Sequence, residues 1–257
     1  VLLLERRPPA TPSATSGATW RALVRASGKV RPGARFEFPG AGAQVMEVAA
    51  GGRVVLRFDP DDESLLAKLG EMPLPPYIRR HARQADLRDY QTVFAERDGA
   101  VAAPTASLHF TPDLVARLRI ARVTLHVGPG TFRPIRTGTL AEHSVDPERY
   151  EIPKSTAEAI LHARARGGRV IAVGTTVVRA LETTGGEAGE GRTDLFVRPG
   201  DRFRVVDELI TNFHLPRSSL LALVMAFGGV DRVRAAYRHA IDVGFRFYSY
   251  GDAMWLR

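Results

Sequence analysis

The sequence of 257 residues contains no cysteine. This absence excludes disulfide bridges, thiolate metal ligands and a cysteine nucleophile, and it is compatible with a reducing compartment, so we expect a cytoplasmic protein. Long apolar segments are also absent, since no run of eighteen apolar residues occurs. We therefore expect no transmembrane helix and no membrane partner.

The N-terminal stretch VLLLERRPP has only four consecutive apolar residues before charge and proline begin. It is too short for a signal peptide. It also has no initiator methionine and opens inside a predicted strand. We therefore expect the natural protein to have further residues upstream of Val1.

Lysine is scarce, because Lys29, Lys68 and Lys154 are the only three among 36 basic residues, and the net charge is +8. Arginine binds phosphate through two parallel hydrogen bonds and stacks on bases, which favours a polyanionic partner such as RNA. A GC-rich coding bias produces the same excess of arginine. Both explanations remain open.

The N-terminal part is predicted to be a small β-barrel domain over residues 1–70. Short strands at barrel-like spacing are expected at residues 2–6, 20–26, 35–38, 44–48 and 53–58. Residues 8–19 are rich in Pro, Ser, Thr and Ala and are predicted to form a mobile loop. No constellation of catalytic residues occurs in this part.

Residues 71–257 are predicted to form an α/β main domain with a mixed sheet, because strands and helices alternate from residue 100 onward. Two predicted strands end in polar glycine turns, Gly128-Pro129-Gly130-Thr131 and Gly174-Thr175-Thr176. The second turn opens a helix and resembles a phosphate cradle, although the full glycine signatures of nucleotide-binding loops are absent. Further strands are predicted at residues 194–197 and 203–213, and residues 185–191 are predicted to be a flexible linker.

Helix starts are marked by capping residues. Thr111-Pro112 predicts one helix start, and Ser218-Ser219 predicts a second before the apolar residues 220–227. The sequence 155–158, Ser-Thr-Ala-Glu, predicts a capping box. The aromatic residues Tyr248 and Tyr250 are positioned to stack on a base, although core packing explains part of the same pattern.

Four histidines lie at predicted element boundaries, where α/β proteins place their sites: His109, His126, His143 and His214. A structural, hydrogen-bonded role is the alternative for each of them. No pair has HxH or HxxxH spacing, so no metal site is expected.

Nine segments in order resemble the S-adenosylmethionine:tRNA ribosyltransferase-isomerase family of queuosine biosynthesis. They cover most of the chain from about residue 70 to the end: PLPPYI (73–78), DYQTVFA (89–95), GAVAAPTASLHFT (99–111), TLHVGPGTFRP (124–134), ERYEI (148–152), VGTTVVRALE (173–182), TDLFVRPG (193–200), DELITNFHLPRSSLL (207–221) and FYSYGDAMWL (247–256).

The resemblance implies an enzyme without a prosthetic group that uses S-adenosylmethionine as co-substrate and ribosyl donor. The implied acceptor is 7-aminomethyl-7-deazaguanine at the wobble position of a tRNA with a queuosine-type anticodon. The implied products are epoxyqueuosine, adenine and methionine, and the implied fold is an α/β domain with an inserted β-barrel. We expect a monomer.

The reaction that the resemblance implies needs a base, for which the candidates are His126, His214 and Glu151. Backbone and hydroxyl donors for the adenosine and methionine groups are expected from the two turns, at Gly128, Gly130, Thr131, Gly174, Thr175 and Thr176. Arg133 or Arg179 is a candidate partner of the methionine carboxylate. Asp207 and Asn212 are candidates for orienting the ribose or the acceptor amine.

The chain departs from the family pattern at Ser107, in the HSVDPE run at 143–148, near Asp201 and in the missing N-terminal segment. These departures permit a catalytically altered tRNA-binding paralogue. Without the resemblance, a histidine-dependent hydrolase acting on a nucleotide is a further alternative.

Overall fold

The computed structural model describes residues 1–7 and 18–257. It divides into two compact units, Val1–Pro73 and Leu74–Arg257. Each unit has its own apolar core.

The N-terminal unit is built on one antiparallel sheet of five strands, in the order β1-β2-β5-β4-β3. The buried side chains of Val45, Val54 and Leu56 lie at the centre of its core. One helix, α1 (Glu63–Leu69), follows the sheet and is capped by Asp62, whose carboxylate accepts from the backbone of Ser64 at 2.8 Å. The strands are β1 (Leu2–Arg7), β2 (Thr19–Leu23), β3 (Arg35–Phe38), β4 (Ala41–Val48) and β5 (Arg53–Asp59).

All five predicted strands form, but the predicted barrel is not confirmed. Strands β1 and β3 are the edges of the sheet, and among the described residues they do not pair with each other. The sheet is therefore open. The predicted mobile loop at 8–19 falls mostly outside the described residues.

The C-terminal unit is α/β, as predicted, and carries two three-stranded sheets. One sheet is antiparallel and has the strand order β6-β7-β9. The other is mixed and has the strand order β11-β10-β8. The elements are α2 (Asp86–Asp89), α3 (Pro112–Ala116), β6 (Thr124–His126), β7 (Glu148–Ile152), α4 (Lys154–Ala165), β8 (Ile171–Val173), α5 (Thr175–Thr184), β9 (Gly189–Thr193), β10 (Glu208–Asn212), α6 (Ser219–Gly228), α7 (Val230–Asp242) and β11 (Ala253–Leu256).

Strands β8 and β10 run parallel, with Glu208 opposite Ile171 and Ile210 opposite Val173. The carboxyl ends of both strands therefore lie at the same edge of the sheet. Helix α5 follows β8 directly, and its buried Val178 and Leu181 join β10 in the core. This arrangement places two polar loops side by side.

The predicted strand at residues 194–197 is wrong, and the strand predicted at 203–213 is confined to β10. For residues 204–206 the reason is a buried side chain on α5. Glu182 accepts hydrogen bonds from the backbone N–H groups of Arg204, Val205 and Val206 at 2.8–3.0 Å. These donors are therefore satisfied without a neighbouring strand.

The linker predicted at 185–191 is also partly wrong, because β9 begins at Gly189 and pairs with β7. The predicted capping box is wrong as well, since α4 begins at Lys154 after Pro153 and has no side-chain cap. The caps at Thr111 and Ser218 are confirmed, because their hydroxyls accept from Leu114 and Leu221. No helix within the described residues has the length and apolarity to cross a bilayer.

Candidate active site

A cleft opens at the carboxyl ends of β8 and β10. This is the edge at which open α/β sheets place their ligands. Six predicted site residues line it: Thr131, Gly174, Thr175, Thr176, Asn212 and the candidate base His214.

The first wall is the N-terminus of α5. Gly174 has a φ of 98° between β8 and the helix, a conformation that side chains rarely adopt. The next residues, Thr175 and Thr176, are buried and line the cleft. The free N–H groups of this first turn and the helix dipole favour an anionic group here.

The second wall is the turn that follows β6. Thr131 lines the cleft, whereas Gly128 and Gly130 are not among its lining residues. A Cβ on Gly130 would lie 2.6 Å from Oδ2 of Asp146, so a larger residue at this position would require the Asp146 side chain to move. Arg133 follows the turn, is partly exposed and forms an ion pair with Asp146 at 3.4 Å.

Arg179 does not face the cleft. It is 6% exposed, and its Nη1 donates to Oε2 of Glu148 at 2.5 Å. Its other donors bind the carbonyl oxygens of Leu195 at 2.8 Å and Thr193 at 3.2 Å. All of these groups are engaged within the protein, so Arg179 is not available to a substrate carboxylate.

Glu148 is the main residue that sequence reasoning missed. It is 4% exposed, and its carboxylate accepts from Thr131 Oγ1 at 3.3 Å and from the backbone of Gly128 as well as from Arg179. Burial raises its pKa, while Arg179 and the hydrogen bonds act in the opposite direction. The segment ERYEI gives no local signal that its first acid is buried and its second is not.

Among the three candidate bases, only His214 lines the cleft. Its Nε2 lies 2.8 Å from Oγ1 of Thr211, and its backbone N–H donates to the Tyr237 hydroxyl at 2.8 Å. Burial lowers the pKa of His214 to about 4. The imidazole is therefore neutral at physiological pH.

His126 and Glu151 lie outside the lining of the cleft. Side chains alternate along a strand, and Leu125 and Val127 face the cleft, so His126 points to the opposite side of β6. There its ring packs against Gly99, where an added Cβ would lie 2.8 Å from Nδ1. Glu151 on β7 forms an ion pair with Arg97.

Asn212 and Asp207 lie near opposite ends of β10, and only Asn212 reaches the cleft. The Asn212 amide is 2% exposed; it accepts from Thr105 at 3.0 Å and donates to the carbonyl oxygen of Gly251 at 3.3 Å. Asp207 is exposed and accepts from the backbone of Val170 at 2.7 Å. The structure therefore separates these two predicted partners.

Aromatic side chains form a third wall. Tyr77 and Tyr248 line the cleft with ring centroids 5.0 Å apart, and Tyr248 has an unusual positive φ of 73°. The Tyr77 hydroxyl bonds to Ser249, which also lines the cleft. Tyr250 points elsewhere and donates to Asp86 at 2.8 Å. Within the described ranges, no group of three or more His, Cys, Asp or Glu is placed to bind a metal.

Comparison with known proteins places this architecture in a family. The sequence profile described as "Queuosine biosynthesis protein" matches residues 1–256. A relative from Anaeromyxobacter sp. (strain K), named S-adenosylmethionine:tRNA ribosyltransferase-isomerase, is 53% identical over 250 residues, which cover 93% of this chain and 72% of the relative. A relative of the same name from Trichlorobacter lovleyi is 50% identical, with coverages of 92% and 73%.

A solved structure, the S-adenosylmethionine tRNA ribosyltransferase from Thermotoga maritima, is 34% identical with a TM-score of 0.49, and the match covers 93% of this chain and 70% of that one. The family profile extends over nearly the whole chain, and the curated relatives share half of its residues. This chain therefore belongs to the queuosine biosynthesis protein family.

Proposed function

We propose that this protein transfers the ribosyl moiety of S-adenosylmethionine to 7-aminomethyl-7-deazaguanine at the wobble position of a tRNA and isomerises it to epoxyqueuosine. Adenine and methionine are the other products. The observation that carries the proposal is the cleft in which a helix N-terminus, a neutral imidazole and an aromatic wall meet. Family membership supports it, since the curated relatives bear the name of this enzyme.

The N-terminus of α5 holds the methionine carboxylate in this proposal. Its unpaired N–H groups and the hydroxyls of Thr175 and Thr176 are suitable donors, and the helix dipole stabilises a negative charge there. Arg133 is the remaining candidate for a direct ion pair, because Arg179 is committed to Glu148. Thr131 supplies a further hydroxyl from the opposite wall.

The Tyr77–Tyr248 wall stacks on a purine-like ring. Aromatic side chains bind bases through their faces with little dependence on sequence. The adenine of the donor and the deazaguanine of the acceptor both have such faces. Tyr250 is not part of this wall, because its hydroxyl is directed at Asp86.

His214 is the best placed base. The reaction begins with removal of a proton from the carbon beside the sulfonium, which the positive sulfur acidifies. The electron pair left on that carbon drives expulsion of adenine, the amine of the modified base attacks, and the ring rearranges with loss of methionine. A base must be unprotonated, and His214 meets this condition at neutral pH.

We further propose that residues 71–257 carry the chemistry and that residues 1–70 form an accessory β domain. The cleft-lining residues support this division, because they lie between Tyr77 and Ser249. The tRNA substrate supports a cytoplasmic location. The proposed functional state is a monomer.

The test is an assay with S-adenosylmethionine and tRNA carrying 7-aminomethyl-7-deazaguanine, following adenine release and the mass of the modified nucleoside. Adenine together with the epoxyqueuosine mass establishes the proposal. RNA binding without either product overturns it in favour of a paralogue that has lost chemistry, which the names of the relatives do not favour. Hydrolysis without RNA points to the hydrolase alternative.

A further inference from the structure

We propose that Glu148 is a positioning residue, which with Arg179 fixes the spacing between the two polar walls of the cleft. This inference rests on the proposed function. It concerns a buried ion pair that does not line the cleft, yet is connected to both turns that do.

The first connection runs from Glu148 to the turn after β6. One carboxylate oxygen accepts from the hydroxyl of Thr131 at 3.3 Å, and the backbone of Gly128 also donates to this carboxylate. The turn residues 128–131 thus depend on a side chain that begins the adjacent strand, β7. Within the turn itself, the backbone N–H of Thr131 donates to the carbonyl oxygen of Gly128 at 3.4 Å, and that of Arg133 donates to Gly130 at 3.0 Å.

The second connection runs through Arg179 to α5. Arg179 lies one turn after Thr175 and Thr176 on the same helix, so its position and that of the helix N-terminus move together. The guanidinium is also fixed by the carbonyl oxygens of Thr193 and Leu195. The side chains of Glu148 and Arg179 are only 4% and 6% exposed, so their ion pair has little conformational freedom. It therefore links β7 rigidly to α5.

The chain offers a matched control. Glu208 is also a buried carboxylate, exposed by 2%, and it pairs with Arg169 and accepts from Nε1 of Trp255 at 2.8 Å. It begins β10, whereas Asn212 at the other end of the strand lines the cleft, roughly 13 Å away along the backbone. Glu208→Gln therefore removes the charge of a comparably buried carboxylate, whose partner Arg169 is exposed, without touching either wall.

The experiment compares Glu148→Gln and Glu208→Gln with the unmodified chain. We expect both variants to lower Tm, but only Glu148→Gln to raise the KM for S-adenosylmethionine about tenfold or more, with a smaller change in kcat. Hydrogen exchange measured without ligand should be faster at the amides of Gly128, Gly130 and Thr131 in Glu148→Gln and unchanged there in Glu208→Gln. Unchanged exchange at these amides overturns the proposal, whether or not the protein has the proposed activity.

A double variant, Glu148→Gln with Arg179→Met, removes both charges and avoids an unpaired buried guanidinium. This double variant is used in the experiment in place of Glu148→Gln if Glu148→Gln alone does not fold. We expect it to recover Tm without recovering the KM or the protection of residues 128–131. Recovery of all three would overturn the proposal, because the pair would then serve stability alone. Absence of adenine release by the unmodified chain would instead overturn the proposed function.

Discussion

The ring of Tyr248 lies against that of Tyr77, with centroids 5.0 Å apart, and both rings line the cleft. Base stacking on an aromatic side chain contributes about 1–3 kcal/mol. We therefore expect Tyr248→Ala to weaken binding of S-adenosylmethionine or of the acceptor nucleoside by roughly 10- to 100-fold. Calorimetric titration with each ligand measures the effect. Tyr248→Phe, which keeps the ring, should bind nearly as the unmodified chain, and equal loss in both variants would contradict stacking.

The second prediction concerns the role of His214 as the catalytic base. His214→Gln should reduce the rate of adenine release by about 100-fold or more, as for loss of a general base. Because its pKa is lowered to about 4, protonation of His214 should not slow the reaction between pH 5.5 and 7.5. A pH–rate profile tests this. A limb near pH 6.5 that disappears in His214→Gln would contradict it.

The same lowered pKa predicts how stability depends on pH. The unfolded chain binds a proton at His214 below about pH 6.5, whereas the folded chain resists it down to about pH 4. The free energy of unfolding is therefore highest above pH 6.5 and falls as the pH drops toward 4, by on the order of 3 kcal/mol. Urea unfolding at pH 7 and pH 4.5 should show a smaller difference for His214→Gln than for the unmodified chain.

Arg133 and Arg179 should behave differently when substituted. Arg133 is partly exposed beside the cleft, so Arg133→Ala should raise the KM for S-adenosylmethionine about tenfold with little change in Tm. Arg179→Met leaves Glu148 buried without its partner and should lower the free energy of unfolding by about 3–5 kcal/mol. Steady-state kinetics and urea unfolding measure the two effects. A large loss of Tm in Arg133→Ala would contradict this division.

Asn212 joins the segment around Thr105 to the C-terminal loop at Gly251. Asn212→Leu leaves buried partners without hydrogen bonds and should lower the free energy of unfolding by about 2 kcal/mol or more. Asp207→Asn, near the opposite end of the same strand, is the control, since its amide oxygen can still accept from Val170. The control should change stability by less than about 1 kcal/mol and leave activity unchanged.

Arg234 and Arg238 share an exposed flank of α7 and form no ion pair with any described residue. If they contact RNA phosphates, the double variant Arg234→Ala, Arg238→Ala should weaken tRNA binding and reduce the salt dependence of log Kd by about 2. Filter binding from 50 to 200 mM salt measures this. Asp231→Asn on the same helix should not weaken binding, and an unchanged salt slope in the double variant would exclude this flank.

Local sequence determined much of the secondary structure. The five strands of the N-terminal unit, the caps at Thr111 and Ser218 and the glycine turn before α5 depend on residues next to each other in the chain, so their patterns predict them. The family resemblance likewise rests on ordered segments. The sequence also indicated that the ends of β8 and β10 would carry the site, because parallel strands end at one edge.

Tertiary structure decided which polar side chains face the cleft. The alternation along β6 turns Leu125 inward and His126 away, and no composition signal reveals this register. Glu182 satisfies the backbone of residues 204–206 from another element, which removes the need for the strand predicted there. Arg179, which was predicted to bind the substrate carboxylate, instead forms a buried ion pair with Glu148. The sequence could not reveal this, because desolvation and pairing depend on residues distant in the chain.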